Sequence, residues 1–268
     1  MPSNAPSIVA LLDRLRAYGW RKRLPAMGLL GFVVVLALQI PYPLLGEAGK
    51  RMVTVWSVVA FFATSGLHAW WSRGSGALAA LVVVCVGGGL AVEAVGSRTG
   101  WPFGNYRYTS VLGWKISGVP IVVALAWAMF GWLGLLCAQR VGGGWRGTVV
   151  GALALVAWDL FLDPQMVRAG GWVWENTPGP SLHGIPMVNS AGWFAVGLVM
   201  MALLLRAVPP LRSGRFDDLG WMLLAWTLFS ESLLFAVFFR WPGVAVVGTP
   251  ALGTVLWFVW NIPSARSR

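Results

Sequence analysis

Long apolar runs separated by short polar connections dominate the chain. Eight runs have roughly the 17–25 residues that a membrane-spanning helix requires. We place them at about residues 25–45, 52–71, 77–96, 118–138, 147–163, 185–206, 219–240 and 243–260. Only Arg240, Trp241 and Pro242 separate the last two runs, so a tight hairpin with eight spans and a re-entrant element with seven are both open. The pattern predicts an all-α fold, a polytopic membrane helical bundle.

Composition supports an integral membrane protein. Hydrophobic residues make up 57% of the chain and charged residues only 11%, whereas a water-soluble domain carries about 25% charged residues. The 18 tryptophans fit the aromatic belts at the two membrane surfaces. The net charge of +11 comes mainly from short connections between apolar runs, where it orients helices. We therefore expect lipid as a partner and no nucleic acid.

The basic residues also predict the topology. With eight spans, thirteen Lys and Arg residues fall on the side of the N-terminus and seven on the opposite side, which favours a cytoplasmic N-terminus in the plasma membrane. The first run is too long for a signal peptide and lacks a small-residue cleavage site, so we expect it to be retained. The expected parts are a basic cytoplasmic segment at 1–24, a single transmembrane domain at 25–260 and a short cytoplasmic tail at 261–268.

Several polar side chains lie inside this apolar sequence. Asp159 and Asp163 are four residues apart and therefore share one helical face, although an acid at the bilayer centre costs about 2.5–3.5 kcal/mol on insertion scales. In the predicted topology, Glu93 and Asn189 lie at the same end of the bundle. Asn189 and Trp193 also share a helical face. These positions predict a functional site at one end of the bundle.

The loops at that end are rich in Gly, Pro and aromatic residues, notably in the stretches 99–108 and 170–175. Irregular backbone at membrane depth survives when it is buried in protein or faces water, so we expect these loops to cap a cavity. Pro164 disfavours helical geometry at Asp163, which predicts that the fifth helix ends there.

Structural roles are the alternatives for these residues. The two aspartates could pair with Arg107 or Lys115, and Glu93 could pair with Arg98. Glu231, between two serines, could either bridge helices or belong to the site.

The histidines and cysteines predict no metal site. His68 lies beside Trp70 and Trp71, where we expect an interfacial side chain, and His183 lies in a loop far from it in the sequence. Neither has the spacing of a metal ligand pair. Cys85 and Cys137 lie inside apolar runs, where we expect small core residues.

Residues 90 to 195 carry a resemblance to a known family. Four elements occur in order: Glu93-x-x-Gly96-x-x-Thr99-Gly100-x-Pro102-Phe103-Gly104-x-Tyr106-x-Tyr108, then Leu112-Gly113-x-Lys115 with Gly118-Val119-Pro120, then Trp158-Asp159-x-x-x-Asp163-Pro164-x-Met166, and finally Gly184-Ile185-Pro186-x-x-Asn189-x-x-Gly192-Trp193. Together they resemble the membrane carotenoid hydratases, which include bisanhydrobacterioruberin hydratase and gamma-carotene 1',2'-hydratases.

The resemblance implies that water adds across the terminal C1=C2 double bond of a long acyclic carotenoid, without a cofactor or a metal. Protonation of the alkene by a partly desolvated carboxylic acid gives a tertiary carbocation, which water captures; aromatic faces stabilise such a cation. We expect Asp159 to donate the proton, with Asp163 and Glu93 as base or water-holding groups and Asn189 orienting the water. The expected substrate-binding residues are Tyr106, Tyr108, Trp158, Trp193, Glu231, Phe103, Arg107 and Lys115.

Two other functions remain open from the sequence. A carotenoid end-group cyclase would use the same acid and the same cation without capturing water. A proton-coupled or lipid transporter would use Glu93, Asp159, Asp163 and Glu231 as a relay, although we find no inverted repeat in the sequence to support it. Chain length of the carotenoid and oligomeric state are not predicted.

Overall fold

The computed structural model describes residues 26–176, 178–210 and 217–262. Within these residues, eight helical segments are long and apolar enough to cross a membrane. The helices are α1 (Ala26–Gln39), α2 (Glu47–Arg73), α3 (Ser75–Thr99), α4 (Ile121–Arg140), α5 (Gly144–Arg168), α6 (Met187–Ala207), α7 (Asp218–Phe238) and α8 (Pro242–Asn261). The all-α class and the count of eight are confirmed, with a tight connection between α7 and α8. The segment predicted at 1–24 and residues 263–268 of the tail lie outside the described residues.

Two helices contain a short wider turn. Residues Val82–Gly87 of α3 and Leu234–Phe238 of α7 form π-helical turns, and a 3-10 turn at Tyr42–Leu44 follows α1. Single π-helical turns within α-helices are often found at functional sites. The one in α7 begins three residues after Glu231.

Helix α4 lies at the centre of the bundle, where Trp127, Phe130 and Trp132 are fully buried. Small residues allow α4 and α5 to approach closely: a Cβ atom on Gly151 would lie 2.9 Å from the carbonyl oxygen of Gly134. Close helix packing at small residues is typical of membrane proteins, where the hydrophobic effect does not hold helices together. The outer helices expose apolar side chains such as Val83 and Val199, as expected for surfaces that face lipid.

Six short strands cover one end of the bundle. Strand β1 (Tyr106–Tyr108) pairs antiparallel with β4 (Trp172–Trp174), so the loop after α3 is joined to the loop after α5. Strands β2 (Lys115–Ile116) and β3 (Val119–Pro120) form one hairpin. Strands β5 (Ser181–Leu182) and β6 (Ile185–Pro186) form another. The predicted cap is present, and it contains strand pairs that the apolar pattern did not predict.

The two halves of this region repeat each other. The unit α3, β1, β2, β3, α4 is followed by α5, β4, β5, β6, α6 with the same helix directions. Both hairpins have a positive φ at the same position, 53° at Ser117 and 54° at His183. Each also has the same closing hydrogen bond, 2.9 Å from Ile121 N to Trp114 O and 3.0 Å from Met187 N to Pro180 O.

A constant step in the chain relates the two halves. The step from 93 to 159 and the step from 127 to 193 are both 66 residues, so Glu93 corresponds to Asp159 and Trp127 to Trp193. The repeat is parallel rather than inverted, because α3 and α5 both run towards the strand cap. The sequence pattern alone did not reveal it.

The predicted end of the fifth helix at Asp163 is wrong, because α5 continues through Pro164 to Arg168. Proline removes one backbone donor, but contacts beyond it hold the last turn. Met166 is buried in a small cluster with Leu112 and Trp172, and its carbonyl accepts a 2.8 Å hydrogen bond from Gly171 N. These tertiary contacts outweigh the local preference of a residue that precedes proline.

The expectation for His68 is also wrong. Its side chain is buried rather than interfacial, and its Nδ1 accepts a 2.8 Å hydrogen bond from Trp132 Nε1 on α4. The neighbours Trp70 and Trp71 are exposed, so helical periodicity turns His68 inward while they face outward. Cys85 and Cys137 are buried, as predicted.

Candidate active site

Four polar side chains meet in one cavity beneath the strand cap. Glu93 comes from the last two turns of α3, Asp159 and Asp163 from the second half of α5, and Asn189 from the first turn of α6. All four are buried, and they line a cavity of about 50 Å³. The sequence predicted that these four residues would lie at one end of the bundle, and in the structure they do.

Asn189 connects the two aspartates. Its Nδ2 donates a 2.9 Å hydrogen bond to Asp159 Oδ2 and a second, shorter one to Asp163 Oδ2. The other oxygen of Asp163 accepts a 2.6 Å hydrogen bond from Trp172 Nε1. Asp159 Oδ1 is buried and has no hydrogen-bond partner among the described residues. Asp159 therefore has an oxygen available to a molecule in the cavity, whereas both oxygens of Asp163 are occupied.

Glu93 is surrounded by donors. Its Oε2 accepts hydrogen bonds from the hydroxyl groups of Tyr106 and Tyr108, the latter at 2.7 Å, and its Oε1 accepts one from Trp127 Nε1 at 2.9 Å. Burial, followed by the charge of Glu93, raises the pKa of both tyrosine hydroxyls, so they remain donors. Three donors on one carboxyl group favour its role as a fixed acceptor.

The structural alternatives for the acids are not supported. Arg98 donates instead to the carbonyl oxygens of Ala94, at 3.0 Å, and of Ser117, at 2.7 Å. Arg107 pairs with Glu175 at 3.1 Å, and Lys115 donates to the carbonyl of Tyr108 at 3.0 Å. None of the four cavity residues forms an ion pair within the described part of the chain.

Aromatic rings form much of the cavity wall. Trp127 and Trp193 stack with centroids 3.9 Å apart and planes at 13°, and Phe103 packs beside Trp193 at 6.5 Å. Tyr106 and Tyr108 line the same cavity. These rings surround the acids with apolar, electron-rich faces, which attract cations within about 6 Å of a ring centroid.

Four of the expected substrate-binding residues lie elsewhere. The side chains of Arg107 and Glu175 are 63% and 54% exposed, and Lys115 is also exposed, so Arg107 and Lys115, which were expected to bind the substrate, do not line this cavity. Arg107 lies on the outer side of β1, since alternate residues of a strand point to opposite faces and the neighbouring Tyr106 is buried. Trp158 and Glu231 line a second, larger cavity that adjoins the first.

Two tryptophans that bind the acids were missed from the expected set. Trp127 lies within a continuous apolar run, where nothing local distinguishes it from a core residue. Trp172 lies in the loop that was expected to cap the cavity, but the sequence did not indicate that it would bond to Asp163. Trp127 precedes Trp193 by 66 residues, the same step that separates Glu93 from Asp159. Recognition of the repeat would therefore have identified Trp127 as the equivalent of Trp193, which was in the expected set.

Comparison with known proteins identifies the family of this chain. Residues 50–259 match the carotenoid biosynthesis protein family. A stretch of 133 residues is 35% identical to bisanhydrobacterioruberin hydratase of Haloarcula japonica, which covers 47% of this chain and 43% of that relative. The chain thus matches less than half the length of the relative. No solved structure matches this chain. Because the family match extends over most of the eight helices, the chain belongs to the carotenoid biosynthesis protein family.

Proposed function

We propose that the protein is a carotenoid hydratase that adds water across the terminal C1=C2 double bond of a long acyclic carotenoid. The observation that carries this proposal is the meeting of Glu93, Asp159 and Asp163 in one buried aromatic cavity, where one oxygen of Asp159 has no hydrogen-bond partner among the described residues. The name of the relative, which describes a hydratase, supports the same reaction class.

The residues allow a balanced reaction cycle without a cofactor. Asp159 gives its proton to the less substituted alkene carbon, and the two π electrons form the new C–H bond. The resulting tertiary carbocation is captured by the oxygen of a water molecule. The proton lost from that oxygen returns to the aspartate pair, so each cycle consumes one alkene and one water. General acid catalysis of this type contributes about 10²–10⁴-fold in rate.

The divergence of the two halves supports Asp159 as the donor. In the first half, Glu93 is held by Tyr106 and Tyr108. At the equivalent positions of the second half stand Trp172 and Trp174, which have no hydroxyl group, and Trp172 binds Asp163 instead. In the described part of the chain Asp159 is therefore left with one side-chain donor, Asn189, and it is the acid best placed to give a proton to a ligand.

The proposed function also includes the membrane topology and the role of Asn189 that were expected from the sequence. Residues 25–260 act as one transmembrane domain in the plasma membrane, with a cytoplasmic N-terminus. In this orientation the strand cap and the acid cavity are on the outer side. Asn189 orients the water, and the aromatic walls face the cation.

The test uses purified protein in detergent with an acyclic carotene and ¹⁸O-labelled water. We expect a product that gains the mass of one water molecule and carries the label, without any ion gradient. Asp159→Asn should lower the rate by about 100-fold or more. Glu175→Gln, the same change of acid to amide on the exposed surface, is the matched control.

The outcomes distinguish the alternatives. A product isomeric with the substrate would contradict hydration and identify a cyclase. Lack of any product from folded protein, together with carotenoid or proton movement in vesicles, would identify a transporter. Full retention of hydration in Asp159→Asn would remove this residue as the proton donor.

A further inference from the structure

The cavity around the acids is too small to hold the body of a carotenoid. Its volume is about 50 Å³, enough for an alkene end or a few water molecules, since one water occupies at least about 10–15 Å³ on this measure. The chain attached to that end must therefore extend into another part of the molecule. The structure contains a suitable space beside it.

A larger cavity of about 430 Å³ adjoins the acids. The two cavities share four lining residues, Thr54 and Val58 of α2 and Leu162 and Met166 of α5. On α5, Leu162 and Met166 lie on either side of Asp163 in the sequence, and both line the two cavities. This turn of α5 therefore separates the acid cavity from the larger cavity. The acid cavity and the larger cavity are thus adjacent, and the side chains of these four residues border both.

Most of the larger cavity is lined by aromatic and aliphatic side chains, including Phe61, Trp158 and Trp226. Part of the lining is exposed at the surface of the bundle: the exposed fractions are 59% for Ile40, 58% for Phe229 and 44% for Phe238. These residues belong to the end of α1 and to α7. Exposed apolar side chains on membrane helices face lipid, so this cavity opens towards hydrocarbon.

A different cavity lies on the polar side of the acids. It has a volume of about 330 Å³, is lined by residues such as Ser97, Asn105 and Asn176, and shares Tyr106 with the acid cavity. Water has a polar approach there, through the strand cap. The larger apolar cavity is therefore not needed as a route for bulk water and is available for the hydrocarbon.

We propose that the larger cavity binds the isoprenoid chain of the substrate, which enters from the bilayer between the ends of α1 and α7. This inference rests on the proposed hydratase function. It also gives a place to Glu231, whose Oε2 is buried in this cavity and has no hydrogen-bond partner among the described residues, as is also true of Ser57 Oγ. Buried polar groups are normally bonded to protein or to ordered water, so we expect ordered water beside these two groups.

Thr227 provides the sharpest test of the chain site. It is buried in the larger cavity and does not line the acid cavity. Its hydroxyl donates a 2.8 Å hydrogen bond to the carbonyl of Leu223 in its own helix. Thr227→Phe adds bulk to the cavity, whereas Val237→Phe adds bulk at an exposed position of α7 that does not line the cavity, and serves as the control. Ser230→Phe, one turn further along α7, tests the same space independently if Thr227→Phe does not fold.

Two readouts are needed. The first is hydration of a long acyclic carotene compared with a ten-carbon acyclic isoprenoid that has the same terminal alkene. The second is the amount of carotene that stays bound when each protein is purified from cells that make it, measured by visible absorbance. The second readout does not depend on catalysis.

We expect Thr227→Phe and Ser230→Phe to lose about tenfold or more in hydration of the long substrate, because each buried methylene group contributes to binding. Hydration of the short substrate should remain within about twofold, and bound carotene should fall in parallel with long-chain activity. Val237→Phe should behave as wild type. Equal activity and equal bound carotene in the bulky variants, or equal loss with both substrates, would overturn the chain site. Wild-type protein that binds carotene through this cavity but hydrates neither substrate would refute the proposed function and leave the chain site supported.

Discussion

Trp127 and Trp193 stack almost parallel in the acid cavity, with centroids 3.9 Å apart, and they occupy equivalent positions in the two halves of the repeat. Trp127 also donates its indole N–H to Glu93. One ring is therefore tied to the first half of the site, and the other lies against it from the second half. The pair joins the two halves and presents an aromatic surface beside the acids.

Trp193 should stabilise the carbocation through its ring. A cation–π interaction in a desolvated site is worth about 2 kcal/mol, which corresponds to roughly 30-fold in rate. We expect Trp193→Leu to lower kcat by about 10- to 30-fold, while Trp193→Phe, which keeps an aromatic face, stays within about threefold. Steady-state kinetics with folded protein checks this. Equal losses in the two variants would show that volume rather than the aromatic face matters.

Asn189 should matter for both stability and catalysis. Its amide donates to Asp159 and Asp163, and a buried acceptor left without its donor costs about 1–3 kcal/mol. We expect Asn189→Leu to lower the free energy of unfolding by about that amount and the hydration rate by at least about tenfold. Thermal unfolding in detergent and product formation measure the two effects. Ser190→Ala, a substitution at the next residue of α6, is the control. An Asn189→Leu variant with the stability and activity of wild type would contradict the bridging role of Asn189.

Tyr106 and Tyr108 should ionise only at strongly alkaline pH. Because burial raises the pKa of both groups above the usual value of about 10, their contribution to stability is fully present below pH 10. It is lost as the pH rises through the higher pKa of the folded state. Ultraviolet absorbance should show that these two hydroxyls ionise when the protein unfolds. The double variant Tyr106→Phe/Tyr108→Phe identifies their part of the spectrum, and ionisation of both in the folded protein near pH 10 would contradict the prediction.

Arg107 should have little effect on activity. Its ion pair with Glu175 is exposed, and exposed pairs contribute about 0–1 kcal/mol. We expect Arg107→Gln to hydrate the substrate at a rate within about twofold of wild type and to unfold at nearly the same temperature. A large loss of activity would return Arg107 to the substrate-binding set predicted from the sequence.

The sequence was sufficient to predict the eight spans and the acid cluster. Long apolar runs are a strong signal because the bilayer fixes the length of a spanning helix. Asp159, Asp163 and Glu93 were recognisable because acids are costly in such runs, and the common direction of α3 and α5 indicated that they would lie at the same end. The shared cavity follows from these two arguments.

The contacts within the site were beyond the sequence pattern. The pairing of β1 with β4 joins segments far apart in the chain, and each strand is too short to show an alternating pattern. Continuation of α5 through Pro164 depends on packing around Met166, and the position of Arg107 depends on which face of β1 is turned outward. These are tertiary effects that override local preference.

The parallel repeat has a consequence for the symmetry of the acid cavity. Two copies of one two-helix unit place two equivalent acids in one cavity, and such an arrangement has no preferred direction. The tyrosines of β1 bind the first acid, Glu93, whereas among the described residues the tryptophans at the matching positions of β4 form no hydrogen bond to the second, Asp159. This exchange removes the symmetry, so a molecule in the cavity meets two different acids.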